Sequence, residues 1–512
     1  MPKLMSPRIP LVAVLGAALL AGCTMAPKYE RPESPTTANW PSGPAYRKES
    51  AVDRETVIAD IGWSDYFSDP KLKKVISLAL ENNRDLRVSS LNIEKALSTY
   101  DVQRASLMPW ITGNASGLSQ QQPVTATGGG DNALSRNYGV TGGISGWELD
   151  FFGRLQSLSQ QAFQSYLATE QAYRAAYLAL VAETANAYLT LAADRERLAL
   201  ARSTFTSQQQ AYDLTSRAVE LGTANALALA QARVSVETAR ADISRYTRAV
   251  AQDENALTLL VGATVPKDLI ATPALVSVTR RDRIPAGTPS SVLLRRPDIV
   301  SAEDSLKGYN ANIGAARAAF FPTITLTTNA GTASSALSGL FTGGSGAWLF
   351  NPAVSLPIFE GGQLIANLKI SETDKKIATA SYEKAIQTGF REVSDALATR
   401  GTIDAQLAAQ SALVKANQES YNLSSARFRD GVDSYLAVLD SQQNLYSSQL
   451  QLIDVRLQRL SNMVTLYKVL GGGWTEKTVP PKPVEPAATA PKSADAKAAP
   501  AQTAAAEPAK AR

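Results

Sequence analysis

Histidine is absent from this chain of 512 residues, and cysteine occurs once, at Cys23. The missing histidine removes the commonest general base and the commonest zinc ligand. A single cysteine cannot form a disulfide within the chain. The glycine clusters at 128–130 and 471–473 lack the Lys-Ser/Thr pair that completes a phosphate-binding loop. We therefore predict a protein that is not an enzyme and that binds no metal or other cofactor.

A strong excess of charge is also missing from the body of the chain. The formal net charge is +5, but Lys3 and Arg8 lie at the amino end, and the tail from Thr475 adds six basic and four acidic residues. The residues between these ends are close to neutral. Nucleic-acid binding requires a concentrated basic surface, so we predict no nucleic-acid partner.

The apolar run at the amino end is too short to cross a membrane. It extends from Ile9 to Leu20 after Lys3 and Arg8, as in a secretory signal peptide. The following Leu20-Ala-Gly-Cys23 resembles a bacterial lipoprotein processing site, which implies cleavage after residue 22 and acylation of Cys23. Acyl chains would anchor the mature protein in a membrane. The alternative is an ordinary signal peptide with an incidental cysteine.

The chain contains two copies of one half-protein. The motif that begins at Tyr212 recurs at Tyr421, and Gly222 recurs as Gly431, in both cases 209 residues later. Upstream, the motif that ends at Pro109 recurs 213 residues later. A repeat of this length is a duplicated half rather than a solenoid unit, which repeats every few tens of residues. We predict an architecture that uses each half once around a common axis.

Strand-like alternation follows the proline of each half. Four segments show this pattern, namely Trp110 to Gln120, Tyr138 to Ser145, Thr323 to Thr327, and Trp348 to Ile358. Period-two alternation places apolar and polar residues on opposite faces, as in a transmembrane barrel or a soluble antiparallel sheet. Four strands cannot close a barrel, and lipid does not tolerate an open sheet edge. The membrane interpretation therefore requires an oligomer that pools strands.

Long helices follow the strands in each half. A helical tract of about 70 residues, or about 100 Å, turns at a glycine and returns through a shorter helix. We predict that Thr223 and Asp433 begin the returning helices. The last helix shows heptad spacing, which predicts a buried coiled-coil seam. The predicted helices are 69–107, 152–221, 225–261, 297–320, 362–430 and 434–470, and the seam residues are Leu436, Leu439, Tyr446, Leu450, Ile453, Leu457, Leu460, Val464 and Tyr467.

These patterns divide the chain into six segments. They are a signal peptide (1–22), a lipidated tether (23–68), a first repeat (69–261), a connecting segment (262–296), a second repeat (297–474) and a tail (475–512). The tail is rich in Ala, Pro and Lys and has no aromatic residue. It cannot bury enough apolar surface to offset chain entropy, so we expect it to be disordered.

Taken together, the sequence resembles outer membrane factors of the TolC/OprM type, in the NodT/OprM-like branch. The motifs that carry the resemblance are Leu20-Ala-Gly-Cys23, Trp63-Ser-Asp-Tyr-Phe-Ser-Asp-Pro70, Asn82-Asn-Arg-Asp-Leu-Arg87, Trp147-Glu-Leu-Asp-Phe-Phe-Gly-Arg154, Leu294-Arg-Arg-Pro-Asp-Ile299, Ala315-Ala-Arg-Ala-Ala-Phe-Phe-Pro322 and 427–440. The resemblance implies an α+β membrane channel. The implied channel would be a homotrimer. Its four strands per chain would form a twelve-stranded outer-membrane β-barrel, continuous with a long periplasmic α-helical barrel.

The resemblance also implies a gate at the periplasmic end. In this branch a leucine and an aspartate one helical turn apart form the narrowest rings, and they map onto Leu436 and Asp440. Their counterparts in the first half are Leu227 and Gln231, so an acidic ring would be three-fold. The branch often has arginine where this chain has Gln443. The alternative is a solvated aspartate beside the seam.

The two hairpin tips are the predicted contact with a periplasmic adaptor (membrane fusion) protein. They consist of Gly222, Thr223, Gly431, Val432 and Asp433. The alternative is a helical hairpin with no partner.

The resemblance implies an outer-membrane exit duct of a tripartite efflux system. Its other members would be the adaptor and an inner-membrane pump of the resistance-nodulation-division type, and its cargo would be drugs, solvents or metal ions. The protein would be lipid-anchored in the outer membrane, because Thr24 stands where an inner-membrane retention signal usually has aspartate. The alternatives are a channel for protein secretion and a structural lipoprotein that spans the periplasm.

Overall fold

The computed structural model describes residues 24–46, 61–122, 133–270, 275, 278–279 and 290–473. Its helices are α1 (Trp63–Tyr66), α2 (Pro70–Asn82), α3 (Arg84–Ala105), α4 (Arg154–Glu220), α5 (Ala226–Val261), α6 (Pro297–Ala318), α7 (Gln363–Arg429) and α8 (Tyr435–Val469). Its strands are β1 (Ile111–Gln122), β2 (Ala133–Leu149), β3 (Thr323–Ser334) and β4 (Gly346–Ser355). The signal peptide, Cys23 and the tail from Thr475 lie outside the described residues, so the expectations for them stay predictions.

Helices and strands occur in the predicted order, with two corrections. The helix predicted over 69–107 is two helices, because Asn83 has extended backbone geometry (φ −60°, ψ 129°) and its side chain caps α3 by accepting from the Leu86 N–H at 2.8 Å. The last strand ends at Ser355, short of Ile358. The strand ends there because Ser355 lies opposite Thr323, the first residue of β3, so the residues after Ser355 have no partner in that strand.

The four strands form one antiparallel sheet in the order β1-β2-β3-β4. The register separates two faces. Thr327 pairs with Asn351 on a mainly polar face, whereas the opposite face is apolar. The apolar face carries Trp147, Ile324, Leu326, Trp348, Phe350 and Val354. Trp348 is 79% exposed, so its side chain has almost no cover from the rest of the chain.

The helices form a layer in which α4 and α7 run the full length. Helices α3 and α6 pack beside one part of these long helices, and α5 and α8 pack beside the other. A small core forms where α1 and α2 pack against α4 and the end of α8. There Tyr66 stacks on Tyr467 with ring centroids 4.2 Å apart. Within the described residues, no helix is both long enough and apolar enough to cross a membrane.

The predicted seam of α8 is buried over most of its length. Leu439, Ile453, Leu460, Val464 and Tyr467 are buried, as the heptad pattern predicts. Tyr446, Leu450 and Leu457 are half-buried. Leu436 departs from the pattern, because it is 48% exposed in the single chain.

The described part of the amino-terminal tether, residues 24–46, lies along α6 and α7. Arg31 makes two hydrogen bonds to Glu303, at 2.8 and 2.9 Å, and the Tyr29 hydroxyl donates to the same carboxylate at 3.1 Å. Burial, followed by the charge of Glu303, raises the pKa of Tyr29. Farther along, Trp40 stacks on Phe390. The tether is therefore fixed by a carboxylate that is only 4% exposed.

Candidate channel gate and hairpin tips

The first hairpin tip closes through a left-handed glycine. Gly222 has φ +76°, and the N–H groups of Thr223 and Ala224 donate to the Ala218 carbonyl at 2.8 and 3.1 Å. The Thr223 hydroxyl donates to the same carbonyl at 3.0 Å. Asn225 caps α5, because its side chain accepts from the Ala228 N–H at 2.9 Å. The prediction that Thr223 begins the returning helix is therefore wrong, since its hydroxyl is used to end α4.

The second tip has the same backbone and an added ion pair. Gly431 has φ +73°, and the Val432 N–H donates to the Arg427 carbonyl at 2.9 Å. The Arg427 guanidinium holds the Asp433 carboxylate, with Nη2 and Oδ1 3.0 Å apart. This hydrogen bond lowers the pKa of Asp433. The prediction that Asp433 begins α8 is wrong, because Ser434 occupies the N-cap position and Asp433 is turned back onto α7.

The predicted gate residues lie on the first turns of α8, beside this tip. Leu436 and Asp440 are both exposed, whereas Val438 and Leu439 between them are buried in the seam. In the part of the chain that the structure describes, the Asp440 side chain has no hydrogen bond and no ion pair. The two side chains thus face away from their own hairpin and remain available for contacts with other copies of the chain.

Polar contacts between the two hairpins were not predicted from the sequence. The Tyr446 hydroxyl donates to Asp242 at 3.0 Å, and Gln442 donates to the Ser207 hydroxyl at 3.3 Å. Arg456 pairs with Glu196 at 3.3 Å. The periodic signal that locates the helices gives no cross-helix register, so it could not identify these pairs. They attach α8, which carries the predicted gate, to α4 and α5.

A fourth contact between the hairpins is crowded with acidic groups. Arg197 of α4 pairs with Asp194 of the same helix and with Asp454 of α8. Asp253 of α5 lies against Asp194, and its Oδ2 is buried without a hydrogen-bond partner among the described residues. Burial, followed by the charge of Asp194, raises the pKa of Asp253 to about 6. Here and elsewhere, the described residues contain no group of three or more His, Cys, Asp and Glu side chains that could hold a metal ion.

Comparison with known proteins decides what this architecture is. Residues 75–263 and 288–472 match the family described as "Outer membrane efflux protein". The chain belongs to the outer membrane efflux protein family.

The two matched segments contain most of the first and second repeats. The toluene efflux pump outer membrane protein TtgC of Pseudomonas putida is 48% identical over 462 residues, which cover 90% of this chain and 95% of that protein. Outer membrane protein OprJ of Pseudomonas aeruginosa is 41% identical over 475 residues, covering 92% and 97%.

Solved structures agree with this assignment. The open state of the Neisseria gonorrhoeae MtrE outer membrane channel is 37% identical and covers 89% of this chain and 100% of its own, with a TM-score of 0.80. A membrane protein from Pseudomonas aeruginosa is 41% identical, with coverage of 88% and 98% and a TM-score of 0.82.

The fold class predicted from the sequence is confirmed. This outer membrane efflux protein has the fold of trimeric outer membrane channels, in which three chains of four strands each give a barrel of twelve strands. The helices continue this barrel as a periplasmic α-helical barrel. The protein is the outer-membrane component of an efflux system, and its family consists of efflux channels.

Proposed function

We propose that this protein is the gated exit duct of a tripartite efflux system, with the gate at Leu436 and Asp440. The observation that carries the duct is the four-stranded sheet. Within the described residues its apolar face is uncovered, and its edge strands β1 and β4 each pair on one side only. Edge strands without partners are not stable in lipid. Pairing of β4 with β1 of the next copy closes the sheet into a barrel with a polar interior.

The free edges of the helical layer support the same assembly. Helices α3 and α7 lie at opposite ends of the layer, and both carry exposed apolar side chains. These are Val88, Leu91 and Val102 on α3, and Ile365, Ile370 and Ile377 on α7. Exposed apolar surface of this extent marks an interaction site. Contact between α7 of one copy and α3 of the next would bury both stripes and extend the barrel below the strands.

In the trimer, Leu436 and Asp440 from three copies approach the channel axis. Both side chains are exposed on one face of α8, and among the described residues Asp440 has no hydrogen bond or ion pair that would hold it back. Leu436 supplies an apolar constriction, and Asp440 supplies an acidic ring that attracts cations and repels anions. Gln231 replaces the carboxylate in the first half, so the acidic ring has three members.

The hairpin tips are the docking site for a periplasmic adaptor protein. Gly222 and Thr223 form one tip, and Gly431, Val432 and Asp433 form the other, with Val432 largely exposed. Paired tips from three chains present six similar knobs at the end of the barrel. Beyond the adaptor, the proposed partner is an inner-membrane pump of the resistance-nodulation-division type. Cys23, acylated, adds a lipid anchor, and intact-mass spectrometry of the mature chain tests it.

Small organic molecules are the proposed cargo. Relatives that are 44–48% identical are named as efflux proteins for antibiotics, toluene and solvents. The polar wall of the sheet carries hydroxyl and amide groups, such as those of Thr325, Thr327 and Asn351, which suit a wide duct without a dedicated binding site.

Deletion and complementation test this function. Loss of the gene should lower tolerance to toluene and to antibiotics, and the intact gene should restore it. Crosslinking from the tips should recover an adaptor and a pump. Unchanged tolerance together with the loss of a secreted protein from the medium would instead indicate a protein secretion channel.

A further inference from the structure

The end of α5 meets the start of α3, and the end of α8 meets the start of α6. These two joints contain different side chains. In the first half, Asn83 donates from Nδ2 to the Leu260 carbonyl at 2.9 Å and accepts from the Leu86 N–H at 2.8 Å. One neutral amide thus connects the end of α5 to the start of α3. The joint is tight, because a Cβ added to Gly262 would lie 2.4 Å from the Asn82 carbonyl oxygen.

In the second half the equivalent position, 213 residues later, is Arg296. Its guanidinium donates to the Val469 carbonyl at the end of α8 at 3.0 Å. It also donates to Asp298 of α6 at 3.0 and 2.7 Å and to Glu392 of α7 at 2.9 Å. Arg296 is 7% exposed. A single buried cation therefore connects three helices, where the first half uses an uncharged amide between two.

The surroundings of Arg296 leave room for this cation and for movement beside it. Gly389 of α7 faces the guanidinium, and a Cβ there would lie 3.3 Å from Nη1. Next to the joint is a cavity of about 360 Å³, lined by Glu392 and Val469 and by neighbouring residues of α4, α7 and α8. The end of α8 therefore borders open space.

We propose that Arg296 is the positioning residue that sets the angle of the gate helix α8. The helix has 35 residues, so it is a rod of roughly 50 Å between this joint and the gate. A tilt of about 5° at Val469 would move Leu436 and Asp440 by roughly 4 Å, which changes the width of a narrow ring. Glu392 restrains this tilt, because it ties the guanidinium to α7. This proposal rests on the proposed gate.

The test compares two carboxylates that bind the same guanidinium. Glu392→Gln weakens the tie between Arg296 and α7, whereas Asp298→Asn weakens a tie within α6 itself. Both side chains are partly exposed, so both variants should fold. In planar bilayers, Glu392→Gln should raise the open probability of the trimer about twofold to fivefold, the upper part of the range for one partly exposed ion pair. Asp298→Asn should stay within about 1.5-fold of wild type. Equal effects of the two variants would overturn the proposal, and an unchanged current with Glu392→Gln is assigned to the gate or to the joint by a distance measurement.

A distance measurement separates this joint from the gate. With a spin label on Gln443→Cys, distances between the copies of α8 report its tilt whether or not Leu436 and Asp440 limit the current. Glu392→Gln should shift or broaden these distances by several ångströms, and Asp298→Asn should not. Shifted distances without a change in current would contradict the gate but not the joint. Unchanged distances would contradict the joint.

Discussion

At the scale of single residues, the stability of this protein depends on a few buried charges. Glu303 is one, since it holds the tether through Arg31 and Tyr29. A carboxylate in such a site is stable only while its partner is present, because an unpaired buried charge is costly. This ion pair is therefore one of the contacts that couple the tether to the helical layer.

Arg31→Leu should lower the unfolding free energy by about 2 kcal/mol, because Glu303 would lose its main cation. The double variant Arg31→Leu/Glu303→Leu should recover a large part of that loss, since it removes the unpaired charge as well. Thermal unfolding of the purified trimer measures both. If the double variant were destabilised by the sum of the single effects, the tether would not be held by this pair.

Asp253 predicts a stability that depends on pH. The fold raises its pKa from 3.8 to about 6, so the folded state favours the protonated form. The stabilisation is complete below about pH 4 and is lost as the pH rises through 6. Asp253→Asn imitates the protonated state. It should raise the melting temperature by a few degrees at pH 7.5, and by clearly less at pH 5.

The matched control for Asp253 is Asp213→Asn, which removes an exposed carboxylate from the neighbouring helix α4. The control should show little difference between the two pH values. An equal rise for Asp253→Asn at pH 5 and pH 7.5 would show that Asp253 is already ionised in the fold at both.

At the scale of helices and strands, much of the structure could be predicted because the signals are periodic. Helices of 67 residues and alternating strands leave a strong pattern, and the duplication supplies each pattern twice. The predictions of helix boundaries were wrong where a single side chain determines the local structure. Asn83 splits a predicted helix by turning its amide to the next helix, and Thr223 and Asp433 bond backward to the preceding helix instead of capping the next.

The second hairpin tip predicts an effect on export alone. Gly431 has a left-handed backbone and open space around it, so Gly431→Val adds strain and bulk without a clash. We expect trimers to form and export to be lost, because the altered surface is the proposed docking site of the adaptor. Drug tolerance of complemented cells measures export, and native gel electrophoresis measures the trimer.

The control for this variant is Gly344→Val in the loop between β3 and β4. Gly344 also has a left-handed backbone, φ +94°, and open space around it. It carries a similar strain far from the tip and should leave export intact. Normal export by Gly431→Val would show that this tip is not part of the docking site.

At the scale of the whole molecule, the two halves share one architecture but differ in the residues at the joint and at the proposed gate. The joint of the first half is a neutral amide in tight packing, and that of the second half is a buried arginine beside a cavity. The first hairpin has Gln231 where the second has Asp440. From these differences we expect movement mainly in the second hairpin. The sequence indicated the gate positions only through resemblance to a family, and it gave no sign of the joint, because Asn83 and Arg296 differ in chemistry.

The central claim is that three chains form a duct closed by Leu436 and Asp440. Single-channel recording of purified trimers, wild type and Leu436→Ala/Asp440→Ala, tests it most directly. The wild type should be closed for most of the recording, and the double variant should open to a larger conductance, because it lacks both the apolar and the acidic ring. Identical recordings from the two proteins would contradict the gate, and no current from either would contradict the duct.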